Sequence, residues 1–242
     1  MMEINGVINV YKEKGYTSHD VVAVVRKYLR IYAAEHGKIK VGHTGTLDPQ
    51  AEGVLPICVG RATKLAGDLT AQNKSYRAQL ILGLTTDTGD HTGQTLTSCK
   101  VDVSPDALSE AINHFVGGYM QTPPMYSAIK IGGKKLYELA RQGKSVEREP
   151  RHVEIFSIKM IEENMSDNRM WLDIDCGKGT YIRSLCEDIG KRLNCGGCMG
   201  DLIRTKSGML TVDNTLRLHE IEQIMKDGRW DFLINPKDMY VS

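Results

Sequence analysis

The run Gly42-His43-Thr44-Gly45-Thr46-Leu47-Asp48-Pro49-Gln50-Ala51-Glu52-Gly53-Val54-Leu55-Pro56 constrains this chain more than any other stretch. It sets one carboxylate, Asp48, between Gly45 and Gly53, with Pro49 directly behind it. Asp-Pro favours a turn, and the residue before a proline is pushed out of helical geometry. Glycine lets the backbone bend tightly or approach another surface closely. The run therefore predicts a stiff, non-helical loop that presents one acid and feeds an apolar strand, Val54 to Val59. On residue types alone, Asp48 reads as an Asx-turn residue capping its own loop.

The elements around this loop follow from periodicity. Ile4 to Val10 predicts a strand, and Thr17 or Ser18 caps a helix whose Val21, Val22, Val25 and Leu29 fall at helical spacing. Ile39 to Gly42 leads into the loop, and Gly60 opens a short helix through Leu69. Ser75 to Leu82 alternates as a half-buried strand does, and Thr85 to Gln94 reads as a polar loop. A helix follows Ser104-Pro105 to about Phe115. Strands are expected around Val153 to Ile161 and Met170 to Cys176, a helix from Tyr181 to Leu193, a strand starting at Leu202, and a final helix from Leu218 to Met225. Strands and helices are mixed rather than strictly alternating, which predicts an α+β fold with a largely antiparallel sheet.

A chain of 242 residues with 41% hydrophobic and 25% charged residues has the composition of an ordinary globular protein. Its amino terminus lacks a basic-then-apolar signal, and no apolar run reaches the roughly 18 residues of a membrane span. A cytoplasmic location is expected. Six cysteines are too sparse for a disulfide framework. Cys195-Gly-Gly-Cys198 is a single pair, whereas a zinc site wants two, so buried structural cysteines are expected and no metal. The net charge of +1 gives no global sign of nucleic-acid binding, but its distribution does. Between Pro124 and Arg151, seven basic residues, Lys130, Lys134 and Lys135 among them, face three acids. That local excess suits either a phosphate-facing surface or a solvated basic loop.

The fifteen-residue run resembles the signature loop of the TruB family of pseudouridine synthases, whose acid nucleophile sits in a Gly-His-Thr-Gly-Thr/Ala-Leu-Asp-Pro context. Three further stretches resemble that family, in its order. Lys74-Ser75-Tyr76-Arg77-Ala78 matches a motif whose tyrosine stacks on the target base. Lys178-Gly179-Thr180-Tyr181-Ile182-Arg183 matches one whose tyrosine contacts the uracil and whose arginine pairs with the catalytic aspartate. Met125 to Lys130, followed by Gly132 to Gly143, resembles the family's RNA-binding insertion. Leu202 matches an apolar residue that closes the base pocket, although an ordinary core leucine fits the same sequence. Tyr76 and Tyr181 equally suit core aromatics, Arg183 a surface charge and His43 a structural histidine.

The resemblance implies one pseudouridine synthase catalytic domain over 1–242, with residues 124–151 as the insertion. It implies isomerisation of uridine to pseudouridine at position 55 of the tRNA T-loop, with Asp48 as nucleophile, Arg183 as its partner and His43 entering the space left by the flipped base. Whether Asp48 attacks C6 of the base or C1′ of the ribose stays open. No cofactor, metal, membrane or guide RNA is expected, and the protein should act as a monomer on the T-stem and T-loop. Family members usually continue into a small RNA-binding domain related to the PUA module, which is expected to be absent here. Two alternatives stand beside this reading: a guide-RNA-dependent synthase of the related branch, and a non-catalytic tRNA-folding chaperone.

Overall fold

The computed structural model describes residues 4–32, 37–164 and 167–240. The chain divides into two compact units, Met1–Tyr76 with Leu202–Ser242, and Arg77–Asp201. It starts with β1 (Gly6–Lys12) and α1 (Ser18–Leu29). The glycine-rich loop lies between β2 (Val41–His43) and β3 (Glu52–Val59). A 3-10 turn (Gly60–Leu65) then leads through α2 (Ala66–Ala71) into β4 (Lys74–Leu82). In the second unit follow β5 (Leu84–Thr86), β6 (Thr95–Ser98), α3 (Pro105–Asn113) and β7 (Tyr119–Gln121). Next come β8 (Lys130–Ile131), β9 (Lys134–Lys135), α4 (Leu136–Ala140) and β10 (Arg151–Val153). After β11 (Ile155–Asn164), β12 (Arg169–Cys176) and α5 (Ile182–Arg192), the chain re-enters the first unit within β13 (Gly197–Ser207). It closes with β14 (Leu210–Thr211) and α6 (Leu218–Lys226).

In the first unit β1 pairs antiparallel with β3, from Gly6 opposite Val59 to Lys12 opposite Gly53. Val7, Ile8 and Val10 are all buried, as in a strand covered on both faces, and the buried Asn9 among them donates to Thr211 O at 2.9 Å. β2 joins β3 antiparallel, and β13 joins it in parallel. Helix α1 starts at a reciprocal cap. The Thr17 hydroxyl accepts from the Asp20 N–H at 3.0 Å, and the Asp20 carboxylate accepts from the Thr17 N–H at 2.8 Å. Its Val21, Val22, Val25 and Leu29 are buried, and each large aliphatic side chain so placed stabilises by roughly 1.5–3 kcal/mol.

In the second unit β11 and β12 pair antiparallel, with irregularities between Ile155 and Ser157 and between Met160 and Glu162. Helix α3 is capped by Ser104, whose hydroxyl accepts from the Ala107 N–H, with Pro105 in its first turn. Helix α5 buries Ile182, Leu185, Cys186 and Ile189. The α+β architecture with largely antiparallel pairing is the one the sequence predicts.

Two details differ. The segment read as a polar loop, Thr85 to Gln94, begins inside β5 and connects it to β6: Thr85 lies opposite Thr97, their hydroxyls 2.6 Å apart. β6 is exposed along its whole length, so burial leaves no alternation to detect. Strand β13 starts at Gly197, five residues before Leu202. A Cβ on Gly190 would come within 2.2 Å of the Gly197 nitrogen, so helix and strand touch through bare backbone at that point. That contact accounts for Gly197 of Cys195-Gly-Gly-Cys198, and a positive φ of +71° for Gly196. Cys186 and Cys198 are fully buried, and burial pushes the Cys198 thiol up to about 11.

Candidate active site

Asp48 is half-buried on the loop between β2 and β3, and the first unit fixes the main chain on both sides of it. The Ser18 hydroxyl, at the start of α1, donates to the Leu47 carbonyl at 3.1 Å and accepts from the Leu47 N–H at 2.9 Å. The Lys12 ammonium, at the end of β1, donates to the carbonyls of Pro49 at 3.1 Å, Ala51 at 2.5 Å and Glu13 at 3.2 Å. Arg204 on β13 donates from Nε to Val54 O at 2.7 Å and from its guanidinium to Gly45 O at 3.1 Å. The Ala51 N–H closes the turn onto Asp48 O at 3.1 Å. Gly45 and Gly53 both have positive φ, +88° and +103°. A Cβ on Gly53 would lie 2.3 Å from Arg204 O, so only glycine permits that approach.

Lys12 and Arg204 are buried cations, at 0% and 1% exposure, that donate to backbone carbonyls. An ammonium or guanidinium satisfies several carbonyls at once, and charge-assisted bonds are the stronger kind. Burial lowers Lys12 to about 8, with the Asp48 and Glu52 charges acting the other way. Ser18, Lys12 and Arg204 were not singled out from sequence. The signal available was a lysine closing a mostly apolar strand, and an arginine directly after Leu202-Ile203.

His43 ends β2, five residues before Asp48. Its ring meets that of His19 edge-on, with centroids 5.4 Å apart. Among the described residues its Nδ1 has no hydrogen-bond partner. Burial, then the charges of His19 and Arg204, hold its pKa below the ordinary value, so the ring is neutral at pH 7. Tyr76 is half-buried in β4, and Leu202 is 7% exposed on β13, a placement that serves a core leucine equally well.

Tyr181 and Arg183 lie in the second unit. Helix α5 begins one residue later than the sequence suggests, so Tyr181 is itself the N-cap. Gln121, buried at 1% exposure, grips its backbone twice: Oε1 accepts the Tyr181 N–H at 2.8 Å and Nε2 donates to the Tyr181 carbonyl at 3.0 Å. The same Nε2 donates to the Tyr119 hydroxyl, which in turn donates to Asp188 at 3.0 Å. Gln121 is a further residue that sequence reading missed, since a glutamine in a short strand has no periodic signature. Arg183 is not a surface charge: it is 6% exposed and donates to the carbonyls of Thr88 at 2.9 Å and Tyr126 at 2.7 Å.

Lys130, Lys134 and Lys135 of the insertion fall on one hairpin. Lys130 lies opposite Lys135, across a turn whose Gly132 and Gly133 both have positive φ. Like charges placed directly opposite destabilise a hairpin unless an anion neutralises them. Lys135 also donates to the Tyr137 hydroxyl at 3.2 Å, and Arg141 lies 5.4 Å from the centre of that ring. The first unit thus carries His43, Asp48, Tyr76 and Leu202. The second carries Tyr181, Arg183 and the lysine hairpin.

Residues 30–182 match the TruB family pseudouridylate synthase (N terminal domain), and residues 183–242 match the tRNA pseudouridylate synthase B C-terminal domain. The tRNA pseudouridine synthase B of Alkaliphilus oremlandii is 51% identical over 221 residues, covering 91% of this chain and 71% of that protein. The one from Lachnoclostridium phytofermentans is 51% identical over 241 residues, covering 97% of this chain and 76% of its own length. Among solved structures, a chain of a Cbf5-Nop10-Gar1 complex is similar at 28% identity with a TM-score of 0.74. That similarity covers 97% of this chain and 61% of the other, so the chain spans about three fifths of that solved relative. Two family matches that together take in residues 30–242, with about half of the aligned positions identical to these two curated relatives, place this chain in the TruB family of pseudouridylate synthases.

Proposed function

We propose that this chain isomerises uridine to pseudouridine at position 55 in the T-loop of tRNA, with Asp48 as the covalent nucleophile. The observation that carries the reading is the bracing of Asp48: Ser18, Lys12 and Arg204 clamp the main chain from Gly45 to Val54. A nucleophile gains rate when it is held in attacking geometry, and an Asx turn on a surface loop needs no such clamp. Asp48 forms a transient ester and is released at the end of the cycle; in between the N1–C1′ bond breaks, the uracil turns while bound, C5 joins C1′, and the proton lost from C5 is balanced by one taken up at N1. Nothing is oxidised and no phosphate is activated, so the reaction calls for no cofactor. The family resemblance assigns base stacking to Tyr76, pocket closure to Leu202, a base contact to Tyr181 and the role of charge partner of the nucleophile to Arg183. The 51% identity to a protein named tRNA pseudouridine synthase B, against 28% to a chain of a Cbf5-Nop10-Gar1 complex, supports tRNA as the substrate. The reading takes the chain to act without guide RNA and as a monomer. Tritium release from tRNA transcript labelled at C5 of uridine, without guide RNA, tests the reading, and failure to release it would overturn it.

His43 is assigned to hold the flipped state open by stacking. Flipping costs a few kcal/mol of lost base stacking, and an inserted neutral ring offsets part of it. His43→Ala should slow turnover on folded tRNA by about tenfold, and His43→Phe should keep more activity than Ala. A Phe variant as inactive as one lacking the nucleophile would instead make His43 a proton-transfer group.

Lys12 gives a pH signature. With its folded value near 8 against 10.5 when free, the folded state releases the proton first. Lys12 therefore opposes folding below about pH 8, and that penalty is relieved as pH rises towards 10.5. Over the same range the loop loses a positive charge beside Asp48. Turnover should fall through one ionisation near pH 8 while urea stability does not fall with it. A flat rate from pH 7 to 9 would contradict this.

Replacing Lys130, Lys134 and Lys135 together by Ala should weaken tRNA binding and lower its salt dependence, because each phosphate contact releases counterions. Binding curves that overlay the wild type across a salt titration would leave the hairpin as a solvated loop.

A further inference from the structure

Helices α1 and α3 start on Thr17 and Ser104, whose hydroxyls accept from the N–H groups of Asp20 and Ala107. Helix α5 starts on Tyr181, whose side chain makes no capping bond. Ser, Thr, Asp and Asn are favoured at this position because a short side-chain oxygen reaches the free N–H groups of the first turn, which a phenol ring cannot do. A tyrosine here works against the helix it opens. A local rule broken in an otherwise consistent region marks a position whose residue is set by something other than folding.

Gln121 supplies from another strand what the ring cannot. Its Oε1 accepts the Tyr181 N–H at 2.8 Å, and its Nε2 donates to Tyr181 O at 3.0 Å. The Leu185 N–H donates to the same carbonyl at 3.1 Å. The bonded N–H and C=O flank a single Cα, so rotation about either φ (−100°) or ψ (110°) of Tyr181 breaks a hydrogen bond. With both dihedrals held, the direction of the Cα–Cβ bond is held as well. We propose that Gln121 is a positioning residue of the reaction: by locking the backbone of Tyr181 it sets the direction from which the phenol ring meets the target uracil. The proposal rests on the synthase reading above, in which Tyr181 is assigned a base contact.

The site asks for an amide of this length. Tyr181 needs one acceptor and one donor, and the second proton of Nε2 goes to the Tyr119 hydroxyl at 2.6 Å. That hydroxyl donates in turn to Asp188 at 3.0 Å, so the network returns to α5. Burial, then the Asp188 charge, push the Tyr119 hydroxyl above its ordinary range, so it stays protonated and keeps donating. Turned over, the Gln121 amide would set its oxygen against Tyr181 O, so the network fixes which end is which. The strand behind it is rigid. Gln121 lies opposite Arg151 and Tyr119 opposite Val153 in the pairing of β7 with β10, and the Tyr119 ring meets Phe115 edge-on at 4.8 Å. A strut that only joined strand to helix would be served by apolar contact, without a matched donor and acceptor at 1% exposure.

The test is single-turnover tritium release from C5-labelled tRNA, with tRNA affinity measured alongside. Gln121→Met keeps the length of the side chain and removes its donor and acceptor. Its rate should fall on the order of a hundredfold, the cost of a displacement of about 1 Å at a reacting group, while affinity stays within about threefold. If that variant does not fold, Gln121→Asn decides: it keeps the amide but is one methylene too short to hold both groups, and should lose about tenfold. On a Tyr181→Ala background, Gln121→Met should cost less than about threefold more, because no ring is left to position. Ser104→Ala, which removes a helix cap elsewhere in the same unit, should lower stability and leave the rate unchanged. A wild-type rate in the Gln121 variant that folds would overturn the proposal. So would a rate loss matched by lost affinity, a full loss persisting without the Tyr181 ring, or an equal loss in Ser104→Ala. A wild type that releases no tritium would overturn the functional reading and this inference with it, whereas an active wild type matched by its Gln121 variant overturns this inference alone.

Discussion

Asp48→Asn is expected to lower pseudouridine formation by at least about a thousandfold, the scale on which removal of a covalent nucleophile is felt. Affinity for tRNA should stay within a few fold, because the amide keeps the size and the turn-forming hydrogen bonds of the acid. The surrounding clamps act on the backbone of Gly45, Leu47, Pro49, Ala51 and Val54, none of which the substitution alters. Urea unfolding should therefore superimpose on the wild type. Substantial turnover by the variant would remove Asp48 from the chemistry. A variant that fails to fold would instead favour the turn-capping role that composition alone suggests.

Arg204→Met should act differently, on stability and turnover together. The guanidinium is 1% exposed and donates to two loop carbonyls, so its loss leaves Gly45 O and Val54 O without their charged donor. Bonds from a charged group contribute roughly 1.5–3 kcal/mol each, and the long apolar methionine fills much of the vacated volume. A loss of about 3 kcal/mol by urea denaturation is the expected outcome. The loop carrying Asp48 would loosen at both ends, and a displacement of about 1 Å at a reacting group costs on the order of a hundredfold in rate. Turnover that falls while stability holds would make Arg204 a participant in binding. Neither changing would show that the clamp is idle.

The sequence was legible where local rules act alone. Thr17, one of the two expected caps, opens α1, Ser104-Pro105 opens a helix, and Val54 to Val59 is a buried strand. The loop geometry around Asp48 was also legible, because Asp-Pro and glycine restrict backbone angles whatever surrounds them. What holds that loop was not. Ser18 acts across 29 positions on Leu47, Lys12 across 37 on Pro49, and Arg204 across 159 on Gly45. Such pairings are created by strand register, which a single sequence does not print. Arg183 illustrates the same limit: its spacing suits a surface charge, yet the fold buries it on the carbonyls of Thr88 and Tyr126. The Thr-rich strands β5 and β6 escaped notice for the opposite reason, since full exposure of β6 removes the alternation by which strands are recognised.

The central claim is that this chain, alone, converts one uridine of the T-loop. Mapping pseudouridine at nucleotide resolution in an unmodified tRNA transcript, incubated with the protein and without guide RNA, tests it most directly. The account predicts one modified position, 55, approaching one pseudouridine per tRNA and absent with Asp48→Asn. Modification spread over other uridines, or none until a guide RNA is added, would contradict it.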